Sequence, residues 1–170
     1  MKKIHGTLLL VVFCIALSSC STSTTQEEEQ EYVEAAFGND KAPIDPVAIE
    51  NDLMDLVNNH RATIGLKVLE NSAPSYKYAE EHNVYMISKN SLSHDNFNDR
   101  ASKIAQETNA VSVSENVARY YTSAEKTLEG WLNSPTHKEA MEGDFTHTTL
   151  SVQLDKDGRP YYTQIFIKVQ

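Results

Sequence analysis

The stretch from Gly130 to Met141, GWLNSPTHKEAM, most constrains how this chain can fold. Its first residues are typical of the end of an amphipathic helix. Ser134 followed by Pro135 predicts that a second helix begins at once, because serine caps helix N-termini and proline costs nothing at the first helical position. His137 then falls in the first turn of the second helix. The positive end of the helix dipole disfavours a charged imidazole there, so we expect a neutral His137 that can accept a hydrogen bond or bind a metal ion.

Two other segments carry polar side chains that could converge on His137. His94 lies in the polar segment SLSHDNFNDR, where Phe97 offers an apolar anchor for a loop. Glu115 lies in SENVARYY and is followed by Asn116, whose side chain can bond backbone groups and hold a turn.

The N-terminal residues resemble a bacterial lipoprotein signal. Two lysines precede an apolar stretch over residues 8–17, which is too short to span a bilayer well. The sequence LSSC that ends at Cys20 resembles a lipobox, which predicts cleavage before Cys20 and lipidation of its sulfur. We therefore expect a lipoprotein signal peptide over residues 1–19. The alternative is an ordinary secretion signal whose cysteine is accidental.

Residues 20–44 are rich in serine and threonine and then in glutamate, with too little apolar material to fold alone. We expect a lipidated cysteine and a flexible acidic tether there, and a folded domain over residues 45–170. The acidic run resembles a surface-export signal and is equally well explained as a solvated charge run. The predicted location is the bacterial cell envelope, with a lipid anchor in the outer membrane or at the cell surface, facing the periplasm or the exterior.

Charge and cysteine content exclude several functions for the folded domain. Cys14 would leave with the signal peptide and Cys20 would carry lipid, so neither a disulfide framework nor a catalytic thiol remains. Removing Lys2 and Lys3 changes the formal net charge from −9 to −11, which argues against nucleic acid as a partner. The sequence also contains no glycine-rich phosphate loop, no HExxH and no GxSxG.

Apolar periodicity and capping signals predict four or five helices. Asp45 and Pro46 begin the first, and Gly65 is a suitable residue just after its end. Thr122 and Glu125 form a capping box for a later helix. The predicted helices cover about residues 45–64, 72–89, a short segment ending near 108, 122–132 and 134–143.

The remaining segments predict a small antiparallel sheet. Residues 110–121 alternate weakly and indicate extended structure or a loop. Residues 150–154 and 161–169 alternate more clearly, and Asp155–Gly158 between them is a hairpin turn signal. The fold class is therefore α+β, with four or five helices around a small antiparallel sheet.

Three aromatic side chains could be functional but are better explained by packing. His60 lies at the edge of the first helix's apolar face, and His82 lies on the apolar side of the second helix. Trp131 belongs to the core-facing stripe of its helix.

Four motifs, taken in order, together resemble the CAP superfamily of cysteine-rich secretory proteins, antigen 5 and pathogenesis-related 1 proteins, most closely its bacterial SCP-like branch. The resemblance covers about residues 47–169. The motifs are Asn59-His60-Arg61, Ser93-His94 with Phe97 and Arg100, Glu115-Asn116, and Trp131 with Ser134-Pro135-x-His137, closed by a strand with Tyr162-Thr163-Gln164-x-Phe166.

This resemblance implies an α-β-α sandwich with a cleft lined by two histidines and acidic residues. By position, the histidines are His94 and His137 and the first acid is Glu115, with Asn116 beside it. Some relatives place a second acid three residues after the tryptophan, where this chain has Ser134. Glu129 or Glu125 could take its place.

Two neutral imidazoles and one carboxylate, from His94, His137 and Glu115, make a plausible three-ligand site for Zn²⁺ or another divalent metal with one open position. The same trio could equally be a hydrogen-bonded cluster without metal.

Three functions stay open. The first is a non-enzymatic, lipid-anchored module whose cleft binds a small apolar, peptide or glycan ligand. The second is a metal-assisted hydrolase or peptidase in which the trio would carry any catalysis. The third is a structural envelope scaffold.

Overall fold

The structure, a computed structural model, describes residues 44–170, so the predicted signal peptide and nearly all of the predicted tether lie outside the described residues. The helices are α1 (Pro46–Thr63), α2 (Tyr76–Lys89), α3 (Phe97–Thr108), α4 (Ala124–Asn133) and α5 (Pro135–Glu142), and the strands are β1 (Glu70–Asn71), β2 (Ala110–Arg119), β3 (His147–Leu154) and β4 (Pro160–Val169). A short 3₁₀ helix, Ala73–Ser75, precedes α2. None of the helices within residues 44–170 is long and apolar enough to cross a membrane.

The four strands form one sheet in the order β1-β3-β4-β2. The central strand β4 is antiparallel to both of its neighbours. β1 pairs in parallel with the start of β3, with Glu70 opposite His147. The prediction of an antiparallel sheet is therefore corrected, because the two-residue β1 makes the sheet mixed. Residues 110–121, for which the sequence left extended structure and loop open, form β2 as far as Arg119.

Helices cover both faces of this sheet. Ile165 and Ile167 of β4 pack on the face covered by α2 and α3. Tyr162 and Phe166 of the same strand belong to the core that α1, α4 and α5 build on the other face. Because successive side chains of a strand point to opposite faces, a strand buried on both sides needs cover on both. This arrangement is the predicted α-β-α sandwich.

The helix boundaries follow local signals, with one correction. The Asp45 carboxylate accepts hydrogen bonds from the backbone N–H groups of Val47 and Ala48, and Gly65 has a φ of +78° after the end of α1, as predicted. The capping prediction for α4 is wrong by one residue. Ser123, rather than Thr122, is the N-cap, because its hydroxyl accepts from the backbone N–H of the residue three positions on.

The junction between α4 and α5 is where the sequence predicts it. The backbone N–H of Ser134 donates to the carbonyl of Trp131 at the end of α4, and the carbonyl of Ser134 accepts from Lys138 in α5. The hydroxyl of Ser134 pairs with the hydroxyl of Thr136 at 3.3 Å and does not cap α5. The position of the boundary is confirmed, but the predicted side-chain cap is wrong. α5 ends before Gly143, as predicted.

The buried side chain of Arg61 connects the end of α1 to the end of α5. Arg61 of α1 donates from Nη1 to the carbonyls of Met141 and Gly143, at 2.6 and 3.0 Å, where α5 ends. Its Nε donates to the carbonyl of Lys67. The positive guanidinium therefore lies at the negative end of the α5 dipole, where a cation is stabilising.

Candidate functional site

The segment Ser93–Asp95 between α2 and α3, which we call the 93–95 loop, is tied to both helices. The carbonyl of Ser93 accepts a hydrogen bond from Nε2 of His82 at 2.7 Å. The carboxylate of Asp95 accepts from the hydroxyl of Tyr85 at 2.8 Å, and its carbonyl accepts from Nη1 of Arg100 at 3.1 Å. The loop is therefore anchored at its first and last residues by side chains from two different helices.

The middle residue of the loop is anchored to the sheet. Nδ1 of His94 lies 2.9 Å from Oε1 of Glu115, which belongs to β2. Arg100 of α3 donates to both oxygens of the same carboxylate, from Nε to Oε2 and from Nη2 to Oε1, each at 2.8 Å. Only 1% of the Glu115 side chain is exposed, so its carboxylate lies in the interior with one bidentate arginine and one histidine as partners.

These contacts decide the protonation of the pair. Burial raises the pKa of Glu115, but the hydrogen bonds from His94 and Arg100 and the charge of Arg100 outweigh it, so the pKa lies below its ordinary value. The ionised carboxylate can only accept, and Nδ1 of His94 must therefore carry the proton. In the neutral ring Nε2 is then a hydrogen-bond acceptor. The side chain of His94 is 46% exposed, so the ring reaches solvent.

His82 supports the loop from the interior. Burial lowers its pKa, and the charges of Arg100 and His94 lower it further against the opposite effect of Glu115. Because the Ser93 carbonyl only accepts, Nε2 of His82 is the donor, and it lies 3.7 Å from Oε1 of Glu115. The interpretation of His82 as a hydrogen-bonded core histidine is confirmed.

His137 lies in the first turn of α5 and is buried. Burial, with a smaller effect of His94, lowers its pKa to about 4, so the imidazole is neutral at ordinary pH. The neutral state agrees with the prediction, and burial is its largest cause. The ring stacks on Trp131, which is itself fully buried, with 6.3 Å between the centroids. The side-chain amide of Asn116 donates to the carbonyl of His137 at 3.0 Å and so fastens α5 to β2.

The candidates for a second acid lie on α4. Glu129 is exposed, and no hydrogen bond or ion pair within residues 44–170 joins it to His94 or Glu115. Glu125 interacts with Ser123 at the start of its own helix, and backbone and hydroxyl hydrogen bonds there lower its pKa. The role of Glu129 in the site therefore stays a prediction.

The geometry does not fit the expected three-ligand zinc site. Both oxygens of Glu115 are occupied by Arg100, whose positive charge repels a metal ion. Nδ1 of His94 is used on Glu115, so any metal would have to approach Nε2 on the far side of the ring, away from the carboxylate. Across residues 44–170 no group of three or more His, Cys, Asp or Glu side chains is arranged to hold a metal ion. Glu115 fits the role of an orienting partner of His94 and not that of a ligand.

A groove of about 580 Å³ lies at a different place on the domain, between the segment after α1 and the end of α5. Arg61, Leu66, Phe145 and Lys168 are among its lining residues, and none of the predicted site residues lines it. Glu142 at its margin accepts a hydrogen bond from Nε2 of His60 at 2.8 Å. His60 is therefore a half-buried residue at the edge of the α1 face, as predicted.

Sequence reasoning did not assign a role to Arg100 or a site position to His82. Arg100 occurs in a quoted motif, but spacing alone could not reveal which acid it faces, since Glu115 is 15 residues away on a strand. One signal was present. Arg100 lies one helical turn before the buried Ile104 on α3, and a charged side chain on an apolar face predicts a buried partner of opposite charge.

Fold and site together define a small α-β-α sandwich whose histidine–carboxylate pair joins a loop to the sheet. The chain belongs to the cysteine-rich secretory protein family, known as CAP, whose family model matches residues 54–166.

The chain is similar to an uncharacterized membrane protein of Bacillus subtilis strain 168, YlbC, with 37% identity over 123 residues. The match covers 70% of this chain and 34% of that protein, so the chain spans about a third of the length of this relative.

Three solved structures share the fold. An outer surface protein of Borrelia burgdorferi has a TM-score of 0.64 at 22% identity, covering 71% of this chain and 95% of that one. An extracellular protein with an SCP domain from Bacillus anthracis has a TM-score of 0.62 at 26% identity, covering 72% and 41%. A cysteine-rich secretory protein from Staphylococcus aureus has a TM-score of 0.63 at 17% identity, covering 77% and 40%.

Proposed function

We propose that this protein is a lipid-anchored CAP-domain lipoprotein of the bacterial cell envelope and that it acts as a non-enzymatic binding module. The lipobox at Cys20 and the acidic tether support the anchor. The names of the similar proteins, which describe an outer surface protein, an extracellular protein and a membrane protein, support a location outside the cytoplasm.

The observation that carries the binding function is the orientation of His94. Its Nδ1 is bound to a buried carboxylate, and nearly half of its side chain reaches solvent. A neutral ring held in this way presents Nε2 as an acceptor, so the ligand supplies a hydrogen-bond donor. Peptide N–H groups and glycan hydroxyls are such donors. The ligand class is therefore a peptide or a glycan of the envelope.

The same contacts argue against nucleophilic catalysis. No hydroxyl or thiol in the described part of the chain is hydrogen-bonded to Nε2 of His94, so the site lacks the nucleophile–base pair of a hydrolase triad. Glu115 has both oxygens occupied and a lowered pKa, which makes it a poor proton acceptor.

The test is an NMR titration of the full chain with a soluble peptidoglycan digest, which offers both glycan and peptide groups. We expect chemical-shift changes at the 93–95 loop, which are absent in His94→Ala. His147→Ala is the matched control, because His147 is a partly exposed histidine on β3 next to the opposite edge strand. Shifts that persist in His94→Ala, or their absence in the wild type, would contradict the proposal.

A metal-assisted hydrolase or peptidase is the second candidate function. The observation in its favour is that Nδ1 of His94 is bonded to a carboxylate while Nε2 lies on the other side of the ring, which is the arrangement that metal-ligating histidines commonly have. This candidate requires metal-dependent turnover of a peptide or glycan substrate that disappears in His94→Ala and His137→Ala while both variants stay folded. Turnover without these histidines would refute it.

A further inference from the structure

We propose that Arg100 is the positioning residue of this site: it holds Glu115 as a carboxylate and thereby fixes His94 in the Nδ1–H tautomer with Nε2 outward. The inference deepens the proposed function, on which its biological meaning rests. Its own test needs no ligand, because the tautomer of His94 is observable in the free protein.

The first step is the bidentate contact, or fork, that the guanidinium of Arg100 makes with the carboxylate of Glu115. Arg100 uses Nε and Nη2 on the two oxygens of Glu115 and Nη1 on the carbonyl of Asp95. One guanidinium thus binds the strand that carries the carboxylate and the loop that carries the imidazole. Both charged side chains are buried, so little water competes for these bonds.

The second step is the charge of Glu115. A buried carboxylate without a cation is costly and takes up a proton instead. A histidine is not a permanent counter-charge, whereas a guanidinium stays protonated in proteins. Nε2 of His82 is 3.7 Å away and donates to the Ser93 carbonyl. Arg100 is therefore the cation that keeps Glu115 ionised.

The third step is the effect on His94. While Glu115 is ionised, it only accepts, and Nδ1 must donate. If Glu115 took up a proton, its hydroxyl could donate to Nδ1, and the ring would move its own proton to Nε2. The exposed nitrogen would then be a donor in place of an acceptor. Arg100 does not touch Nε2 of His94, but in this way it would decide whether Nε2 binds a hydrogen-bond donor or an acceptor.

Lysine cannot fully replace Arg100 in this role. Its ammonium is a single point of charge, whereas the guanidinium places parallel N–H groups on both carboxylate oxygens. Arg100→Lys keeps the charge and loses the fork, and so separates the two contributions.

The experiment is ¹⁵N NMR of the full chain with labelled histidine at about pH 8, above the ordinary histidine pKa, where the two ring nitrogens report the tautomer directly. The variants are Arg100→Met and Arg100→Lys. Lys103→Met is the matched control, because Lys103 lies on the same helix in an exposed ion pair with Asp99. We expect a single Nδ1–H form of His94 in the wild type and in Lys103→Met. In Arg100→Met the Nδ1–H fraction should fall to about half or less.

If Arg100→Met fails to fold, Arg100→Lys provides a second test by the same NMR measurement of the His94 tautomer. We expect it to fold and to show a Nδ1–H fraction below that of the wild type. A wild-type tautomer in a folded Arg100→Met would overturn the inference, and an unchanged fraction in Arg100→Lys would overturn the claim that the bidentate contact, and not the charge alone, fixes the tautomer. If the tautomer responds as expected and the peptidoglycan digest causes no shifts in the wild type, the proposed function fails and the role of Arg100 stands.

Discussion

The hydroxyl of Tyr121 occupies the space that a β-carbon on residue 130 would fill, so only glycine fits at Gly130 of α4. This contact joins the segment between β2 and α4 to the second half of α4. The ring carbon that bears the hydroxyl would lie 2.6 Å from such a β-carbon, so a larger residue at position 130 requires the buried ring of Tyr121 to move.

Gly130→Ala should therefore destabilise the domain. Alanine favours a helix over glycine by about 1 kcal/mol, but overpacking of a buried contact costs about 1–3 kcal/mol, so we expect a net loss. Urea unfolding measures the change. Glu129→Ala at the neighbouring exposed position is the control and should leave the free energy of unfolding nearly unchanged. Equal stability of Gly130→Ala and the wild type would contradict the contact.

The domain should lose stability on acidification from pH 7. The pKa of His137 is about 4 in the folded state, below the 6.5 of an unperturbed histidine. Between these two pH values, His137 is therefore protonated in the unfolded chain and neutral in the folded domain. The free energy of unfolding should fall by about 2 kcal/mol between pH 7 and pH 5 from this residue alone. The lowered pKa of His82 acts in the same direction, and that of Glu115 adds a loss only below its unfolded value of 4.5.

Urea unfolding at a series of pH values tests this dependence. His137→Phe removes the buried titrating ring and should flatten the curve between pH 7 and pH 5, whereas His147→Ala should not. A wild-type slope in folded His137→Phe would show that other groups cause the dependence.

Zinc should bind weakly and without Glu115. The only histidine nitrogen of the loop open to a metal is Nε2 of His94, and Glu115 is occupied by Arg100. In a calorimetric titration of the full chain, we expect any binding heat to disappear in His94→Ala/His137→Ala and to persist in Glu115→Gln. If the histidines are ligands, affinity should fall on acidification, because protons compete for the same lone pairs, and at His137 this competition sets in only near its pKa of about 4. A tight site that is lost in Glu115→Gln would restore the three-ligand hypothesis.

Arg61→Ala should be among the most damaging substitutions. It removes three hydrogen bonds to carbonyls of Lys67, Met141 and Gly143 and leaves a cavity in the interior. We expect a loss of about 2–4 kcal/mol in the free energy of unfolding. Lys67→Ala, an exposed neighbour on the same loop, is the control. A loss in Arg61→Ala no greater than in this control would contradict the role of the guanidinium.

Cys20→Ser tests the anchor, which lies outside the described residues. Lipidation predicts that the wild-type protein fractionates with membranes and carries a mass increase at Cys20. The serine variant should lose both. A wild-type protein without added mass at Cys20 would favour the ordinary secretion signal.

Local chemistry made much of the fold predictable. Asp45, Gly65 and Gly143 act on their own helix ends, and each stands where the sequence placed it. The hairpin turn is set by its own residues too, since Gly158 has a φ of +77° and its backbone N–H donates to the Asp155 carbonyl. Ser123 replaced Thr122 as a cap because two adjacent hydroxyl residues offer nearly the same capping chemistry.

What depended on distant contacts was not predictable. β1 has only two residues, too few for any periodicity, and it exists because the end of the loop after α1 meets β3. The pairing of Arg100 with Glu115 arises only when α3 lies across β2. For the site, the sequence indicated that His94 and Glu115 converge, which the structure shows, but it could not tell a ligand from an orienting partner.

The contacts of the 93–95 loop restrict where this domain can gain or lose residues. Its three residues are bonded between them to α2, α3 and β2, so an inserted or deleted residue would break several of these hydrogen bonds at once. Within residues 44–170, the hydrogen bonds of the turn at Asp155–Gly158 stay inside its own hairpin, so a change in its length disturbs no other element. Among related domains, insertions and deletions should be most frequent at this hairpin turn. A tag or reporter inserted into the domain should therefore be placed in the same turn.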